Sequence, residues 1–598
     1  MPADQNRDRT APPSFRKVPW KELGRTLAFL RPYRLSAFAA LVSLIAVTGA
    51  TLVTPQFVRL LIDRGISAGR WRWIVLPALG LLAAAVVRGL FNFLQGYLSE
   101  RIGQGIAFDL RNIIYEKLQN LSFSYHDRAQ TGQLMTRVTS DVENVRMFAG
   151  QGFLILISSI LTLGGAAVIL LLTQWRLALV ALAIVPVILA ILGFFIARVF
   201  PLFGGVQRRL AVLNTILQEN LAGMAVVKAF AQEPFESERY RSANADLLDQ
   251  NVRVVRALAG SFPVIFLVAN LGTLGVVWVG GLQVIGGGLS LGTLVAFNTY
   301  LSFLLMPIFQ LGFIAGSISR AGASAERVFE VVDAESEVRD RSGAGVLESV
   351  QGRVEFDRVS FRYVGQEGWV LEDVSFTAEP GETVALLGAT GSGKSSIINL
   401  IPRFYDVVQG AVRIDGVDVR DVTLSSLRGH IGIVLQEAVL FGGSIRENIA
   451  YGRPEATAEQ VEAAARAAQA HGFISDLPDG YDSVIGERGV TLSGGQRQRI
   501  SIARTLLLDP KILLLDDATS SVDAETEFRM QLALLELMRG RTSFIIAQRL
   551  STVRTADRVV LVDRGRVAAI GTHDDLLRSS PLYGEIVDSQ LDREEAAA

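Results

Sequence analysis

The fold of the C-terminal half is decided by a glycine-rich loop with the sequence Gly388-Ala389-Thr390-Gly391-Ser392-Gly393-Lys394-Ser395, which Ser396 follows. The apolar run Thr383–Leu387 before the loop is typical of a buried strand, and the residues after it have a helical pattern. In that context, backbone N–H groups of the loop and of the helix N-terminus point at phosphate oxygens. We therefore expect Gly388–Ser396 to bind a nucleotide, with Lys394 at the β- and γ-phosphates and Ser395 at Mg²⁺.

Two carboxylates follow a second apolar run. Ile512–Leu515 is typical of a buried strand, and Asp516 and Asp517 come directly after it. Beside a phosphate-binding loop, the first carboxylate suits the Mg²⁺ shell and the second suits the position that faces an attacking water. Two acids that only solvate a strand end are the weaker alternative. The pair predicts a centre that hydrolyses the nucleotide.

A second anion-binding surface is predicted at Leu492-Ser493-Gly494-Gly495-Gln496. This pentapeptide directly precedes a predicted helix, Arg497–Leu508. Ser493 and the glycine amides then lie at a helix N-terminus, where backbone N–H groups are available to an anion. One chain therefore carries two phosphate-binding surfaces.

Composition separates two regions and excludes several classes of protein. The chain has 598 residues, of which 50% are hydrophobic and 20% are charged, so more than one region of distinct character is expected. A formal net charge of −1 gives no indication of a nucleic-acid partner. The chain contains no cysteine, which excludes disulfides, zinc ribbons and iron–sulfur ligation.

Charge-poor runs in the N-terminal half predict six membrane-spanning helices. They lie between Arg34 and Arg59, at Trp73–Leu98, at Met147–Trp175, at Leu177–Val199, and on both sides of Gly286–Gly288 within Ala257–Ser319. A short turn at Thr173–Arg176 divides the third span from the fourth. An even number of spans places both termini on one side, and the basic N-terminal segment indicates the cytoplasm.

The fold class predicted is an α-helical transmembrane domain with long cytoplasmic extensions, joined to an α/β P-loop ATPase domain with a helical subdomain. The extensions are expected in the charged connections Glu100–Arg146 and Pro201–Arg256, which lack Gly/Pro clusters. The expected segments are an elbow at 1–34, the transmembrane domain at 35–335, a linker at 336–350, the nucleotide-binding domain at 351–590 and a disordered tail at 591–598.

This set of motifs resembles the ABC transporter superfamily, and in particular its exporter-type half-transporters. The resemblance is carried by the signature Leu492–Gln496, an exporter stretch Leu440–Ile449, the X-loop Gly486–Gly489, the D-loop Ser520–Asp523 and two coupling regions at 121–142 and 228–240. It therefore covers nearly the whole chain.

The resemblance implies ligands and roles for further residues. ATP and Mg²⁺ are the implied cofactors, Tyr363 stacks on adenine, and Asp523 is the D-loop aspartate. Gln436 is the Q-loop glutamine, which contacts Mg²⁺ and the hydrolytic site. Taken alone, Tyr363 is an ordinary strand aromatic; in register with the other motifs it becomes a site residue. In the family, the signature of one subunit caps the ATP held by the other, so the resemblance implies a dimer.

Two positions depart from the family pattern, and both belong to hydrolysis. Asp517 stands where the family usually has a catalytic Glu, and Gln548 stands where it usually has the switch His. Asp withdraws the carboxylate by about 1.5 Å, and a displacement near 1 Å can cost roughly a hundredfold in rate. Gln cannot be protonated, so charge stabilisation and proton handling are lost. Tolerated drift in an active enzyme is the alternative.

Since Leu492–Gln496 is intact, the sequence predicts a subunit that binds ATP, hydrolyses it poorly and completes the site of its partner. The expected partner is a different half-transporter with Glu and His at these positions, as in heterodimeric multidrug, lipid or peptide exporters with one degenerate site. The expected location is the bacterial cytoplasmic membrane, and the expected substrates are hydrophobic or amphipathic.

Two alternatives stay open for the function. One is a homodimeric exporter or lipid flippase with slow turnover, and the other is an ATP-sensing membrane module that transports nothing. Arg88, inside the second span, either contacts an anionic substrate or lies near the cytoplasmic headgroups.

Overall fold

The computed structural model describes residues 19–436, 438–486, 492–516, 524–547 and 553–588. The chain divides into two compact units, one made of Met1–Gln119 with Thr131–Ala334, and the other of Asn120–Gln130 with Glu335–Ala598. The short segment 120–130 thus packs with the C-terminal unit, although helices of the first unit flank it in sequence. The predicted tail, 591–598, lies outside the described residues.

The described part of the first unit is helical. In chain order the helices are α1 Trp20–Ala28, α2 Arg34–Leu60, α3 Arg72–Asn120, α4 Phe123–Arg128, α5 Thr131–Thr136, α6 Val142–Met147, α7 Phe153–Leu182, α8 Ile184–Ala222, α9 Met224–Ala229, α10 Glu233–Ile285 and α11 Leu291–Val332, of which α4 belongs to the second unit. Short 3₁₀ or π segments lie at Arg31–Tyr33, Leu61–Ile66, Arg137–Asp141 and Phe148–Gly152.

Within the described ranges, five helical stretches are long and apolar enough to cross a bilayer. They are Arg31–Ile66, Arg72–Asn120, Thr131–Ala222, Glu233–Ile285 and Leu291–Val332. The third of them contains Gln174, whose φ of −159° and ψ of 95° are not helical, inside the turn predicted from the sequence.

The chain reverses direction at Gln174. Leu163 before this residue and Val185 after it pack in the same hydrophobic clusters. A continuous helix would hold them about 33 Å apart at a rise of 1.5 Å per residue. The stretch Thr131–Ala222 therefore supplies two crossings, which gives the six spans that the sequence predicts.

Two of the helices are much longer than a membrane crossing requires. Helix α3 has 49 residues and α10 has 53, whereas about 20 suffice to cross a bilayer. Both charged connections predicted as extensions are helical apart from short turns, since α3 runs on to Asn120 and α8 continues to Ala222.

The end of α2 is tied to the beginning of α11 by one carboxylate. Asp63 accepts hydrogen bonds from the backbone N–H of Gly292 at 2.8 Å and from the hydroxyl of Ser290 at 2.5 Å. A carboxylate at a helix N-terminus is favoured by the helix dipole. The contact leaves no room at Gly292, where a Cβ would lie 2.6 Å from the carbonyl oxygen of Arg59 and 2.7 Å from Asp63 Oδ1.

The second unit contains two main sheets. Its strands are β1 Val354–Phe361, β2 Leu371–Ala378, β3 Thr383–Leu387, β4 Gln409–Ile414, β5 Val417–Asp418, β6 Ile431–Val434, β7 Gly443–Ser444, β8 Val484–Ile485, β9 Ile512–Asp516, β10 Thr542–Ile546, β11 Arg558–Asp563 and β12 Arg566–Gly571. The sheet orders are β2-β1-β4-β5, which is antiparallel, and β12-β11-β3-β10-β9-β6, which is parallel except at β12.

The helices of this unit either pack beside its sheets or form a helical subdomain. They are α12 Lys394–Leu400, α13 Leu424–Gly429, α14 Ile445–Ile449, α15 Ala458–Ala467, α16 His471–Ser475, α17 Gly494–Leu508, α18 Ala524–Met538 and α19 His573–Ser579. Helices α14 to α17 share a core around Ile449, Val461 and Ile500, which is the helical subdomain that the sequence predicts.

Three neighbouring parallel strands deliver the predicted site residues to one edge of the sheet. Strands β3, β10 and β9 pair in parallel, so their carboxyl ends lie side by side. Gly388 follows β3, Asp516 ends β9 and Ala547 follows β10. Ligands of parallel α/β sheets bind beyond this edge.

The tight contact at Gly292 yields a prediction about stability. We expect Gly292→Ala to lower the thermal midpoint of the detergent-solubilised protein by several degrees, because overpacking costs about 1–3 kcal/mol. The matched control is Gly281→Ala on α10, where a Cβ meets nothing within 4 Å. Alanine is the better helix former, so the control should keep or raise the midpoint. Equal midpoints for the two variants would contradict the contact.

Candidate nucleotide-binding site

The glycine-rich loop is shaped by positions where no side chain fits. Strand β3 is buried, and the chain turns at Gly388 with φ +152°. A Cβ on Gly388 would lie 2.1 Å from the carbonyl oxygen of Val562. Gly393 has φ +105°, and a Cβ there would lie 2.6 Å from Leu371 Cδ2 and 3.0 Å from the carbonyl oxygen of Val370. The loop backbone can follow this path only with glycine at both positions.

Lys394 is desolvated at the mouth of the loop. Its Nζ donates to the carbonyl oxygens of Gly388 at 2.8 Å and Ala389 at 2.9 Å. Burial lowers the pKa of Lys394, and the Asp516 carboxylate opposes this shift. Burial likewise raises the pKa of Asp516, which Lys394 opposes. An ammonium has three donors, so Lys394 can add a phosphate oxygen to these two carbonyls.

The loop also holds a buried hydroxyl that fits an anion. Ser392 is 4% exposed, and its Oγ has no hydrogen-bond partner within the described part of the chain. A buried hydroxyl without a partner is costly and calls for an explanation in a native structure. Together with the desolvated ammonium of Lys394 and the backbone turns, this hydroxyl fits the phosphates of a nucleotide.

The predicted Mg²⁺ ligands come from three elements around the loop. Ser395 lies in the first turn of α12, Asp516 ends β9, and Gln436 follows β6, which is paired with β9. Among the described residues, no three His, Cys, Asp or Glu side chains gather into a metal site. Hydroxyl, amide, one carboxylate and phosphate oxygens are nevertheless the donors that suit this hard cation.

Tyr363 lies beside the helix that follows the loop. Its hydroxyl is hydrogen-bonded to Ser396 Oγ at 2.9 Å, and its ring meets Phe361 at 4.9 Å and Tyr405 at 5.2 Å, edge to face in both cases. A pocket next to the ring is lined by 362–367 and Val408. The structure thus brings the predicted adenine-stacking ring to the loop that carries the predicted phosphate ligands.

The helix at the second anion-binding surface begins earlier than the sequence predicts. Helix α17 starts at Gly494 and not at Arg497, because Ser493 and Gln496 form a capping box. The Ser493 Oγ accepts from the N–H of Gln496 at 3.2 Å, and the Gln496 side chain accepts from the N–H of Ser493 at 2.8 Å. The Ser493 O–H is still able to donate to a phosphate oxygen.

The residues of this pentapeptide differ in exposure. Leu492 is 5% exposed and packs in the helical subdomain, and Gly495 is buried, whereas Ser493 and Gly494 are exposed. The N-terminus of this helix is therefore presented on the surface of the unit, where an anion carried by another molecule can reach it.

Three predicted site residues lie outside the described residues: Asp517, Asp523 and Gln548. The X-loop positions 487–489 do as well. The strands next to two of them are described. Asp517 follows β9, and Gln548 comes after Ala547, which follows β10; these strands are paired with Ile546 opposite Asp516.

Tyr405 is a residue near the site that no motif in the sequence indicates. It lies between Phe404 and Asp406, after α12, and its hydroxyl reaches Asp127, 278 residues earlier in the chain. No periodicity distinguishes such a residue from a core aromatic. The only signal was indirect, because Asp127 falls in the first region that resembles a coupling region.

Comparisons with known proteins agree with this geometry. The family described as the ABC transporter transmembrane region matches residues 37–308, and the family described as ABC transporter matches residues 371–520. The chain is 40% identical over 559 residues to an uncharacterized ABC transporter ATP-binding protein of Bacillus subtilis, covering 94% of this chain and 96% of that protein.

Two relatives with named activities are also similar over nearly the whole chain. An ATP-dependent lipid A-core flippase of Syntrophus aciditrophicus is 38% identical, covering 92% of each chain. A putative multidrug export ATP-binding/permease protein of Staphylococcus aureus is 37% identical, covering 95% of this chain and 99% of that protein. The solved structure of a bacterial Atm1-family ABC exporter with ATP bound has a TM-score of 0.76 at 32% identity, covering 93% of this chain and 98% of that one.

The position of Tyr363 yields a prediction about affinity. Stacking of a base on an aromatic ring is worth about 1–3 kcal/mol, so Tyr363→Ala should weaken ATP binding by about 5- to 150-fold. Tyr363→Phe keeps the ring and loses only the hydrogen bond to Ser396, which should reduce the free energy of ATP binding by about 1 kcal/mol. Equilibrium titration of the purified chain measures both. Tripolyphosphate, which has no base, is the control ligand: an equal loss of its affinity would contradict stacking.

Proposed function

Since the chain belongs to the ABC transporter family, as an exporter-type half-transporter with its nucleotide-binding domain on the cytoplasmic side of the membrane, we propose that it is one of two unlike subunits of an exporter. ABC exporters work as dimers and couple ATP hydrolysis to transport. In this proposal the chain binds ATP and Mg²⁺ at Gly388–Ser396, Gln436 and Asp516, and its own site hydrolyses ATP poorly.

The dimer is supported by the placement of the two anion-binding surfaces. The P-loop lies at the carboxyl edge of the parallel sheet, and the N-terminus of α17 is exposed on the helical subdomain. A signature that faces outward completes an ATP site only when a second nucleotide-binding domain is present. This exposed N-terminus is the observation that carries the proposal.

The difference between the subunits is supported by the contrast between binding and hydrolysis. The residues proposed for binding are present in the sequence, and two observations support them: Lys394 is desolvated in the loop, and Tyr363 is bonded to Ser396. The two positions that depart from the family are both hydrolytic, Asp517 and Gln548. A shortened base and an amide in place of an imidazole reduce the rate while leaving ATP affinity intact.

The proposed substrates are hydrophobic or amphipathic molecules. Residues 257–319, which contain parts of α10 and α11, carry no Asp, Glu, Lys or Arg. Relatives that share more than a third of their sequence with this chain carry names of lipid and multidrug export. Uncharged spans provide dispersion and hydrophobic contacts to such molecules and little to recognise small ions.

Restoring the hydrolytic residues tests the proposed impairment. In a complex whose partner carries Gln in place of its catalytic Glu, residual ATPase activity reports the site of this chain. We expect Asp517→Glu combined with Gln548→His to raise that activity by about a hundredfold, because the base regains its reach to the attacking water. Asp517→Asn is the matched control and should remain at background. If the double substitution produced no rise, these two positions would not limit hydrolysis.

Two further substitutions separate unlike subunits from a homodimer. With an active partner, Ser493→Arg blocks the signature that serves the partner's ATP and should lower ATPase activity by about a hundredfold or more. Asp517→Asn should change it by less than about twofold, since this site already contributes little. Uptake of ethidium into inside-out vesicles should follow the same order. A homodimer would instead lose activity with both variants, and an ATP sensor would show no uptake at all.

A further inference from the structure

Helix α4 lies in the N-terminal half of the sequence but packs with the nucleotide-binding unit, and it is held there at both of its ends. The Phe123 ring stacks on Phe404, with centroids 4.3 Å apart. The Ser124 hydroxyl donates to Glu337 at 2.5 Å, and the Arg128 guanidinium donates to the same carboxylate at 2.9 Å. In the sequence, α4 directly follows α3, which ends at Asn120.

Tyr405 joins α4 to the aromatic cluster beside the nucleotide loop. Its hydroxyl donates to Asp127 Oδ2 at 2.5 Å, and the residue is 9% exposed. Burial, together with the Asp127 carboxylate, raises the pKa of Tyr405, so the hydroxyl stays protonated and able to donate at physiological pH. The same ring contacts Tyr363 at 5.2 Å and Phe361 at 5.6 Å.

Tyr363 in turn lies next to the phosphate-binding loop. Its hydroxyl is hydrogen-bonded to Ser396, in the helix that follows this loop, and its ring is the surface on which the base is proposed to stack. A continuous series of contacts therefore runs from Ser396 through Tyr363 and Tyr405 to Asp127. Close-packed rings transmit a displacement because they cannot be compressed.

We propose that Tyr405 is a positioning residue that passes binding of the nucleotide base at Tyr363 to helix α4, through its hydrogen bond to Asp127. This rests on the ATP binding proposed above and holds whichever subunit hydrolyses the ATP. Helix α4 then responds to the base as well as to the phosphates. A triphosphate without a base fills the loop but leaves the Tyr363 ring uncovered, so it orders α4 less than ATP does.

Hydrogen exchange at 120–130 tests the proposal without a label. The full-length chain is purified in the oligomer it forms, placed in lipid nanodiscs, and measured alone, with Mg-ATP, and with Mg-tripolyphosphate. We expect ATP to slow exchange in this segment more than tripolyphosphate does. Tyr405→Phe keeps the ring, so ATP affinity should be unchanged. The extra protection that ATP gives should fall by about tenfold, which corresponds to the free energy of one hydrogen bond to a charged acceptor.

Two more variants distinguish this role from a general structural one. Asp127→Ala removes the acceptor of the same hydrogen bond. Since Asp127 is exposed, the substitution leaves the core intact and should cause the same loss of protection. Tyr583→Phe is the matched control, since its buried hydroxyl is bonded to His573 at 2.6 Å and does not contact α4; it should retain the full response. Full protection in Tyr405→Phe, or equal protection by ATP and tripolyphosphate, would overturn the proposal. Failure of the native chain to bind ATP in a separate titration would instead refute the ATP site itself.

Discussion

The nucleotide-binding unit depends on the turn at Gly388, where the end of a buried strand comes so close to Val562 that no side chain fits. This close approach forces the chain to reverse at once into α12, and it sets Lys394 against the loop carbonyls and near Asp516. The adjacent strands β9 and β10 end at the same edge because they are parallel to β3. Binding and hydrolysis therefore share a site whose shape is fixed by backbone packing, while its chemistry is set by the few side chains that extend from these strand ends.

Separation of shape from chemistry explains how a subunit can lose hydrolysis and keep its place in an exporter. The hydrogen bond of Tyr363 to Ser396, the contact of Lys394 with the loop and the capping box of α17 are formed by residues other than Asp517 and Gln548. The N-terminus of α17 is stabilised by its own capping box, so it does not require the local ATP site to be active. In the proposed exporter, such a subunit is the one expected to retain ATP for longer and to complete a faster site on its partner.

Local patterns in the sequence predict the elements of this protein better than their contacts. Strand β3 and the turn at Gln174 follow directly from an apolar run and from a polar interruption between two apolar runs. Helix α17 begins three residues before the start that the sequence predicts, because a capping box extends a helix into glycines that propensity alone disfavours.

Contacts between distant parts of the chain are not predicted by local patterns in the sequence. Tyr405 and Asp127 are 278 residues apart, and Gly292 and Asp63 are 229 residues apart. Such pairs arise only when helices and strands pack together, and neither partner stands out from its neighbours in composition. Local patterns likewise do not assign segment 120–130 to the nucleotide-binding unit, and the only indication is the resemblance of 121–142 to a coupling region.

The most direct test of the unequal roles proposed for two subunits is the identity of the nucleotide that each one retains after turnover. The complex is incubated with a photoreactive, radiolabelled ATP analogue, allowed to turn over, trapped with vanadate and irradiated, and the nucleotide bound to each chain is then identified. The account predicts unhydrolysed ATP on this chain and ADP on its partner. Equal amounts of ADP on both chains would contradict it.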